Sequence, residues 1–224
     1  MSSLSPYIEH TLLKPEATEK DIERLCREAL EHDFLGVCVN SSYVRLAKSL
    51  LEGSTVKLVS VVGFPLGSTM TEAKAAETQV AIREGADEID MVIHLGALKE
   101  NRRNYVRDDI AAVVLASQGR PVKVIIETGL LTKEEKALAC HLSQEARAEF
   151  VKTCTGFNAG QAEAEDVRFM RSIVGEEMGV KASAGIKTAE KAWALIKAGA
   201  NRIGTSVGPL LVAPPERHTV DGSR

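Results

Sequence analysis

Two lysines sit inside runs that otherwise read as apolar strands. Phe150-Val151-Lys152-Thr153-Cys154-Thr155-Gly156 carries one, and Val180-Lys181-Ala182-Ser183-Ala184-Gly185 carries the other. Side chains alternate across a strand, so Lys152 and Cys154 share one face and Val151 and Thr153 the other. An ammonium among apolar neighbours is costly unless it is paired or used. Taken alone, Lys152 is explained as well by a buried carboxylate partner as by chemistry. Lys181 on the following run shifts the balance, because a structural explanation must then neutralise two buried cations. Burial and a second ammonium nearby both favour the neutral amine, the form that attacks a carbonyl.

A carboxylate is available to the pair. In Glu88-Ile89-Asp90-Met91-Val92-Ile93-His94, the alternation sends Ile89, Met91 and Ile93 outward and Glu88, Asp90, Val92 and His94 inward. Asp90 can serve as the ion-pair partner of either lysine, as a proton carrier, or as both. His94, nearer the end of its run, reads as structural or pocket-lining. Cys38, Glu9, Glu127 and Ser183 are further candidates for the pocket wall. As a nucleophile Cys38 has no His or Asp partner that the sequence assigns. Three small-residue loops follow the last runs: Thr155-Gly156, Ala184-Gly185-Ile186-Lys187 and Gly204-Thr205-Ser206. Glycine permits close backbone approach and Ser206 adds a hydroxyl. Gly156, Gly185, Ile186, Lys187, Gly204 and Ser206 are therefore candidate phosphate ligands, although a single such loop would be an ordinary turn.

The elements that must position these residues repeat along the chain. Eight short runs alternate with amphipathic stretches: Ile8–Leu12, 36–40, 57–63, 88–95, 122–127, 150–155, 180–183 and 202–205. Their centres lie about 21 to 34 residues apart, the length of a strand-plus-helix unit. Thr18 with Asp21, and Thr132 with Glu135, read as capping boxes. Ile22, Leu25, Cys26, Ala29 and Leu30 form an apolar helix stripe. Gly85-Ala86-Asp87-x-Ile89 and Gly199-Ala200-Asn201-x-Ile203 are matching helix exits. Eight units close a barrel, so the expected fold is α/β, a single-domain TIM (β/α)8 barrel spanning residues 1–224. A doubly wound open sheet is the alternative, but no G-x-G-x-x-G or phosphate-loop motif opens it. Pro209, Pro214 and Pro215 point to a frayed tail over residues 209–224.

Composition sets the bounds. The chain has 224 residues, 44% of them hydrophobic, 26% charged and 4% aromatic, with a net charge of −3. That balance suits a globular core of aliphatic residues and argues against a nucleic-acid partner. Arg102, Arg103 and Arg107, beside Asp108 and Asp109, read as a solvated helix face. The cysteines are Cys26, Cys38, Cys140 and Cys154, without metal-ligand spacing, so no metal is expected. No apolar leader or membrane span is visible, and the expected location is cytoplasmic.

At the lysine-bearing runs the chain resembles deoxyribose-phosphate aldolase. The segments are IEHTLLKPEAT, VCVN, SVVGFPLGS, EIDMVIHLGALK, VKVIIETGLL, FVKTCTGF, EDVRFMR, VKASAGIKT and RIGTS, which together cover roughly residues 8 to 208. The resemblance implies a TIM barrel with no metal or organic cofactor. It also implies reversible cleavage of 2-deoxy-D-ribose 5-phosphate to acetaldehyde and glyceraldehyde 3-phosphate, in deoxyribonucleotide and carbohydrate catabolism. It makes Lys152 the Schiff-base lysine, Lys181 its tuning neighbour and Asp90 the proton carrier. The partners expected are small sugar phosphates and aldehydes, with a homodimer or homotetramer as the assembly. The sequence departs from the family pattern at five places. Glu9 replaces an Asp, Cys154 a Ser, Ala184 a Gly, Lys187 an Arg, and Val207 a second Ser after Ser206. Two rivals stand beside this reading: another Schiff-base barrel aldolase, and a phosphate-binding barrel without turnover.

Overall fold

The computed structural model describes residues 3–213. Eight parallel strands close a barrel in sequence order: β1 (Ile8–Leu12), β2 (Gly36–Val39), β3 (Lys57–Val62), β4 (Glu88–Val92), β5 (Val122–Ile125), β6 (Phe150–Lys152), β7 (Gly179–Ser183) and β8 (Arg202–Thr205). Strand β1 pairs with both β2 and β8, which leaves no open edge. The fold is a TIM barrel. Around it lie α1 (Glu19–Glu31), α2 (Val44–Leu50), α3 (Thr71–Arg83), α4 (Leu95–Lys99), α5 (Arg103–Ala116), α6 (Lys133–Glu145), α7 (Ala164–Val174), α8 (Ala189–Lys197) and α9 (Gly208–Val212).

Local signals fix several boundaries. Helix α6 opens on a reciprocal box: Thr132 Oγ1 accepts from the Glu135 amide at 3.2 Å, and Glu135 Oε2 accepts from the Thr132 amide at 2.9 Å. The Asp21 carboxylate accepts from the Thr18 amide at 2.9 Å at the start of α1. Gly85 and Gly199 end α3 and α8 with φ of 112° and 114°, a conformation that carries a Cβ only at a cost. Some expected details differ. Leu30 is exposed, because the buried face of α1 ends at Ala29. Asp109 is not on a solvated face: it is buried and bonded to Lys74 of α3 at 2.6 Å. Residues 209–212, expected as frayed tail, belong to α9, where Pro209 suits the first turn and Leu211 packs into the core. The rest of the expected tail, 214–224, lies outside the described residues.

Two packing regions follow from strand alternation. Outward side chains such as Val37, Leu58, Ile89, Met91, Val124, Val151, Val180 and Ile203 form one continuous core with the helices. Each fully buried side chain of this size contributes about 1.5–3 kcal/mol by leaving water. The barrel interior is divided. On the β1–β3 side, Leu13, Cys38, Val59 and Val61 make a small apolar cluster with Phe64. On the remaining side the inward positions hold ions, and these define the site.

Candidate active site

Strand register brings the charged residues to adjacent levels of the barrel interior, with Lys152 opposite Ile125 and so one pleat above Lys123. Asp90 is the lateral partner of Lys123, and Lys152 of Lys181. Lys152 Nζ donates to Asp90 Oδ2 at 2.7 Å, and Lys181 Nζ donates to the same oxygen at 2.7 Å. Lys181 also pairs with Glu9. Lys123 Nζ reaches Asp90 Oδ1 at 3.1 Å, Glu88 Oε2 at 2.5 Å and Glu9 Oε1 at 3.7 Å. Three lysines thus face three carboxylates inside the barrel, and Arg202 approaches Glu88 at 3.5 Å.

This arrangement changes the expected electrostatics. The sequence reading set two cations against each other; in the fold a carboxylate oxygen stands between them. Burial alone would raise the Asp90 carboxyl, but the charges of Lys123, Lys152 and Lys181 outweigh it and hold the group well below the usual carboxylate range. Burial likewise disfavours the Lys181 ammonium, yet Asp90 and Glu9 hold its pKa above the ordinary lysine value. Asp90 is therefore a carboxylate and Lys181 a cation at neutral pH. Burial would raise the Glu9 carboxyl too, but Lys123 and Lys181 hold it below its ordinary value.

Access, not charge, distinguishes the lysines. A cavity of about 380 Å³ opens at the C-terminal ends of the strands and reaches Lys152. Lys152 retains 2% exposure, while Lys123, Lys181 and Asp90 have none. Catalytic groups of such barrels sit at this end. Around the same cavity lie Gly156, Gly185, Ile186, Lys187, Gly204 and Ser206, together with Thr155, Ser183 and Ala184. The amides of Gly185 and Ile186 donate to no other backbone group among the described residues. Lys14, from the segment after β1, adds a second rim cation that the sequence reading passed over.

Other candidates fall elsewhere. Glu127 does not line the cavity. It is fully buried, in a left-handed conformation with φ of 59°, and its carboxylate accepts from the Thr155 amide at 3.1 Å, Thr155 Oγ1 at 2.6 Å and Asn158 Nδ2 at 2.8 Å. It orders the loop after β6. Glu9 also leaves the pocket wall, because its longer side chain runs down to Lys181. Cys38 is buried in the apolar half of the barrel, and burial raises its thiol pKa to about 11. Of the expected wall residues, Ser183 alone borders the cavity. His94 turns away from the barrel to cap α4, its Nδ1 accepting from the Ala97 amide at 3.2 Å. Val207 is off the cavity as well, since its amide donates to Thr205 Oγ1 at 3.2 Å where α9 begins. Lys123 was missed, although it sits between Val122 and Val124 just as Lys152 sits between Val151 and Thr153. Among the described residues no three His, Cys, Asp or Glu side chains gather as metal ligands.

Fold and site together define a class: a barrel aldolase that carries lysine at the floor of its C-terminal cavity. The profile of the DeoC/LacD family aldolases matches residues 7–209. A deoxyribose-phosphate aldolase of Bdellovibrio bacteriovorus is 58% identical over 93% of this chain and 95% of its own. One from Clostridium botulinum is 57% identical over 93% of this chain and 99% of its own. A tetrameric deoxyribose phosphate aldolase from Aeropyrum pernix superposes with a TM-score of 0.88 at 36% identity, over 93% of this chain and 89% of that one. The chain belongs to the DeoC/LacD aldolase family.

Proposed function

We propose that the protein is a 2-deoxy-D-ribose 5-phosphate aldolase acting through a Schiff base on Lys152. The observation that carries the assignment of the nucleophile is that Lys152 meets the cavity while keeping a proton acceptor, Asp90 Oδ2, 2.7 Å from its nitrogen. Relatives of this identity and coverage carry the name of that activity.

The reaction runs as follows. Lys152 Nζ, its proton passed to Asp90 Oδ2, adds to the C1 aldehyde; Asp90 returns that proton to the carbinolamine hydroxyl, which leaves as water and gives an iminium. The C3 hydroxyl loses its proton, which ends on the Asp90 carboxylate. C3 becomes a carbonyl, the C2–C3 bond breaks, and its electron pair passes into the iminium to form an enamine. The Asp90–Lys181 pair returns a proton to C2, and hydrolysis frees acetaldehyde and Lys152. Lys181, held as a cation, keeps Asp90 ionised and in place, and Asp90 carries the proton between the C3 hydroxyl and C2. Across the cavity, the amides of Gly185 and Ile186, the Ser206 hydroxyl and the Lys187 ammonium hold the phosphate, with Gly156 leaving room for it and Gly204 bordering the same cavity.

Borohydride reduction in the presence of deoxyribose 5-phosphate should add the mass of a reduced two- or five-carbon fragment at Lys152. An unmodified Lys152 peptide, or full acetaldehyde release by Lys152→Ala, would refute the assignment. We further infer a homodimer or homotetramer in the cytoplasm. The tetrameric relative supports the assembly, and four buried free thiols suit a reducing compartment. Light scattering on the purified chain tests the first, and cell fractionation the second.

A further inference from the structure

Asp90, which takes up the hydroxyl proton, has no exposed surface, and neither has Lys181 beside it, so a residue bordering the cavity must orient that hydroxyl. We propose that Ser183 is that residue: it hydrogen-bonds the substrate hydroxyl on the carbon that becomes a carbonyl when the carbon–carbon bond breaks. The inference rests on the Schiff-base aldolase reading above.

Four observations converge on it. Ser183 stands two residues beyond Lys181 on β7, on the same inward face and one pleat nearer the cavity. It borders the cavity together with Lys152. Its Oγ is buried and has no hydrogen-bond partner among the described residues. An orphaned buried hydroxyl is destabilising, so a ligand that satisfies it recovers that loss on binding. Finally, the backbone of Ser183 is held from both sides. Its amide donates to Thr153 Oγ1 at 3.0 Å, and its carbonyl accepts from Thr153 Oγ1 at 2.9 Å. Only the χ1 rotation remains free, between staggered positions.

The neighbouring strand accommodates this. Gly204 is the lateral partner of Ser183, and a Cβ at position 204 would lie 2.2 Å from Ser183 Oγ and 3.2 Å from the Lys181 Cε. Glycine there leaves a slot in which the hydroxyl rests directly above Lys181. Ser183 keeps some surface toward the cavity, and a χ1 rotation carries its hydroxyl out to a partner there. An imine on Lys152 would bring the next-but-one carbon of the substrate beside β7, the strand that carries Ser183, because Lys152 and Lys181 are register partners on β6 and β7. Ser183 takes up no proton in this scheme. It fixes the hydroxyl while the proton passes to Asp90.

Ser183→Ala is tested on three reactions. Cleavage of deoxyribose 5-phosphate and cleavage of 3-hydroxybutanal both break a bond beside this hydroxyl, and 3-hydroxybutanal lacks the phosphate and the second hydroxyl. Exchange of acetaldehyde methyl protons with deuterated water uses Lys152, Asp90 and Lys181 but involves no substrate hydroxyl. The expected result is a loss of about tenfold in kcat/KM for both cleavages, the size of one hydrogen bond, with exchange within twofold of the parent protein. A loss confined to deoxyribose 5-phosphate would place Ser183 on the phosphate or the second hydroxyl and overturn the proposal. So would equal losses in all three reactions, which mark a structural or general proton-transfer role, or no loss in any. Failure of the unmutated protein to cleave deoxyribose 5-phosphate would instead refute the substrate assignment.

Discussion

Replacing Lys123 with methionine tests the ionic half of the barrel most directly. Lys123 is fully buried and lies within 3.7 Å of three carboxylates, those of Glu88, Asp90 and Glu9. Methionine fills similar volume and removes the charge, leaving three carboxylates to share Lys152, Lys181 and the more distant Arg202. Breaking a buried ion pair from one side costs about 3–5 kcal/mol, and a cation serving three anions belongs at the upper end. In a chain of this size each kcal/mol moves the melting midpoint about 2–4 °C, so a fall of about 10–20 °C is expected. A second effect concerns the reaction. The Lys123 charge is one of those that hold the Asp90 carboxyl down against burial, so its loss moves that carboxyl up towards the ordinary range. The acid limb of the kcat–pH profile should rise with it. Urea unfolding at neutral pH and the pH profile of acetaldehyde release provide the two readouts. Adding Glu88→Gln should recover part of the stability, with a coupling of about 0.5–3 kcal/mol. A Lys123→Met protein within 1 kcal/mol of the parent and with an unmoved acid limb would show that the charges do not act as a unit.

Two further outcomes are expected. Ala184 lies at φ of 82° beside the cavity, where an L side chain is strained by about 1–2 kcal/mol. Ala184→Gly relieves that strain but adds freedom to the unfolded chain, so a net gain of about 0.5–1 kcal/mol should appear in the melting midpoint; a loss would mean the surroundings already favour alanine. Asp90 and Glu9 both titrate below their ordinary values of 3.8 and 4.5. Their contribution to stability is complete above those values and is lost as pH falls through the lower folded-state ones. Urea midpoints should therefore show no loss from these groups between about pH 8 and pH 5 and fall steeply below about pH 4; a decline beginning near pH 6 would contradict the cluster's charge states.

The strand positions, the helix starts and the glycine exits were legible because each is a local property: alternation, a box of two side chains, a positive φ. The site was legible where position along a strand decides it, as for Lys152, Asp90, Lys181 and the three small-residue loops. What escaped depends on distance across the barrel. Nothing local separates Lys123 from Lys152, since both interrupt apolar runs. Only the closed geometry shows that one rises to the cavity and the other lies beneath it. Asp109 escaped for a related reason. Its arginine-rich neighbours suggested solvent, whereas its partner, Lys74, comes from a different helix. Glu127 looked like pocket wall because it read as the last residue of a strand, but the strand ends at Ile125 and the left-handed turn at Glu127 redirects its carboxylate into the loop.

The shared oxygen of Asp90 also bears on how such a barrel can change over generations. Lys152, Lys181 and Lys123 all answer to the same carboxylate, and Glu9 and Glu88 complete the balance. No single charge-altering substitution within this set leaves the remainder neutral, so drift there must proceed by paired replacements. The rim residues carry no such mutual obligation. New specificities in this lineage are therefore open to one-step exploration in the loops and closed to it in the barrel floor.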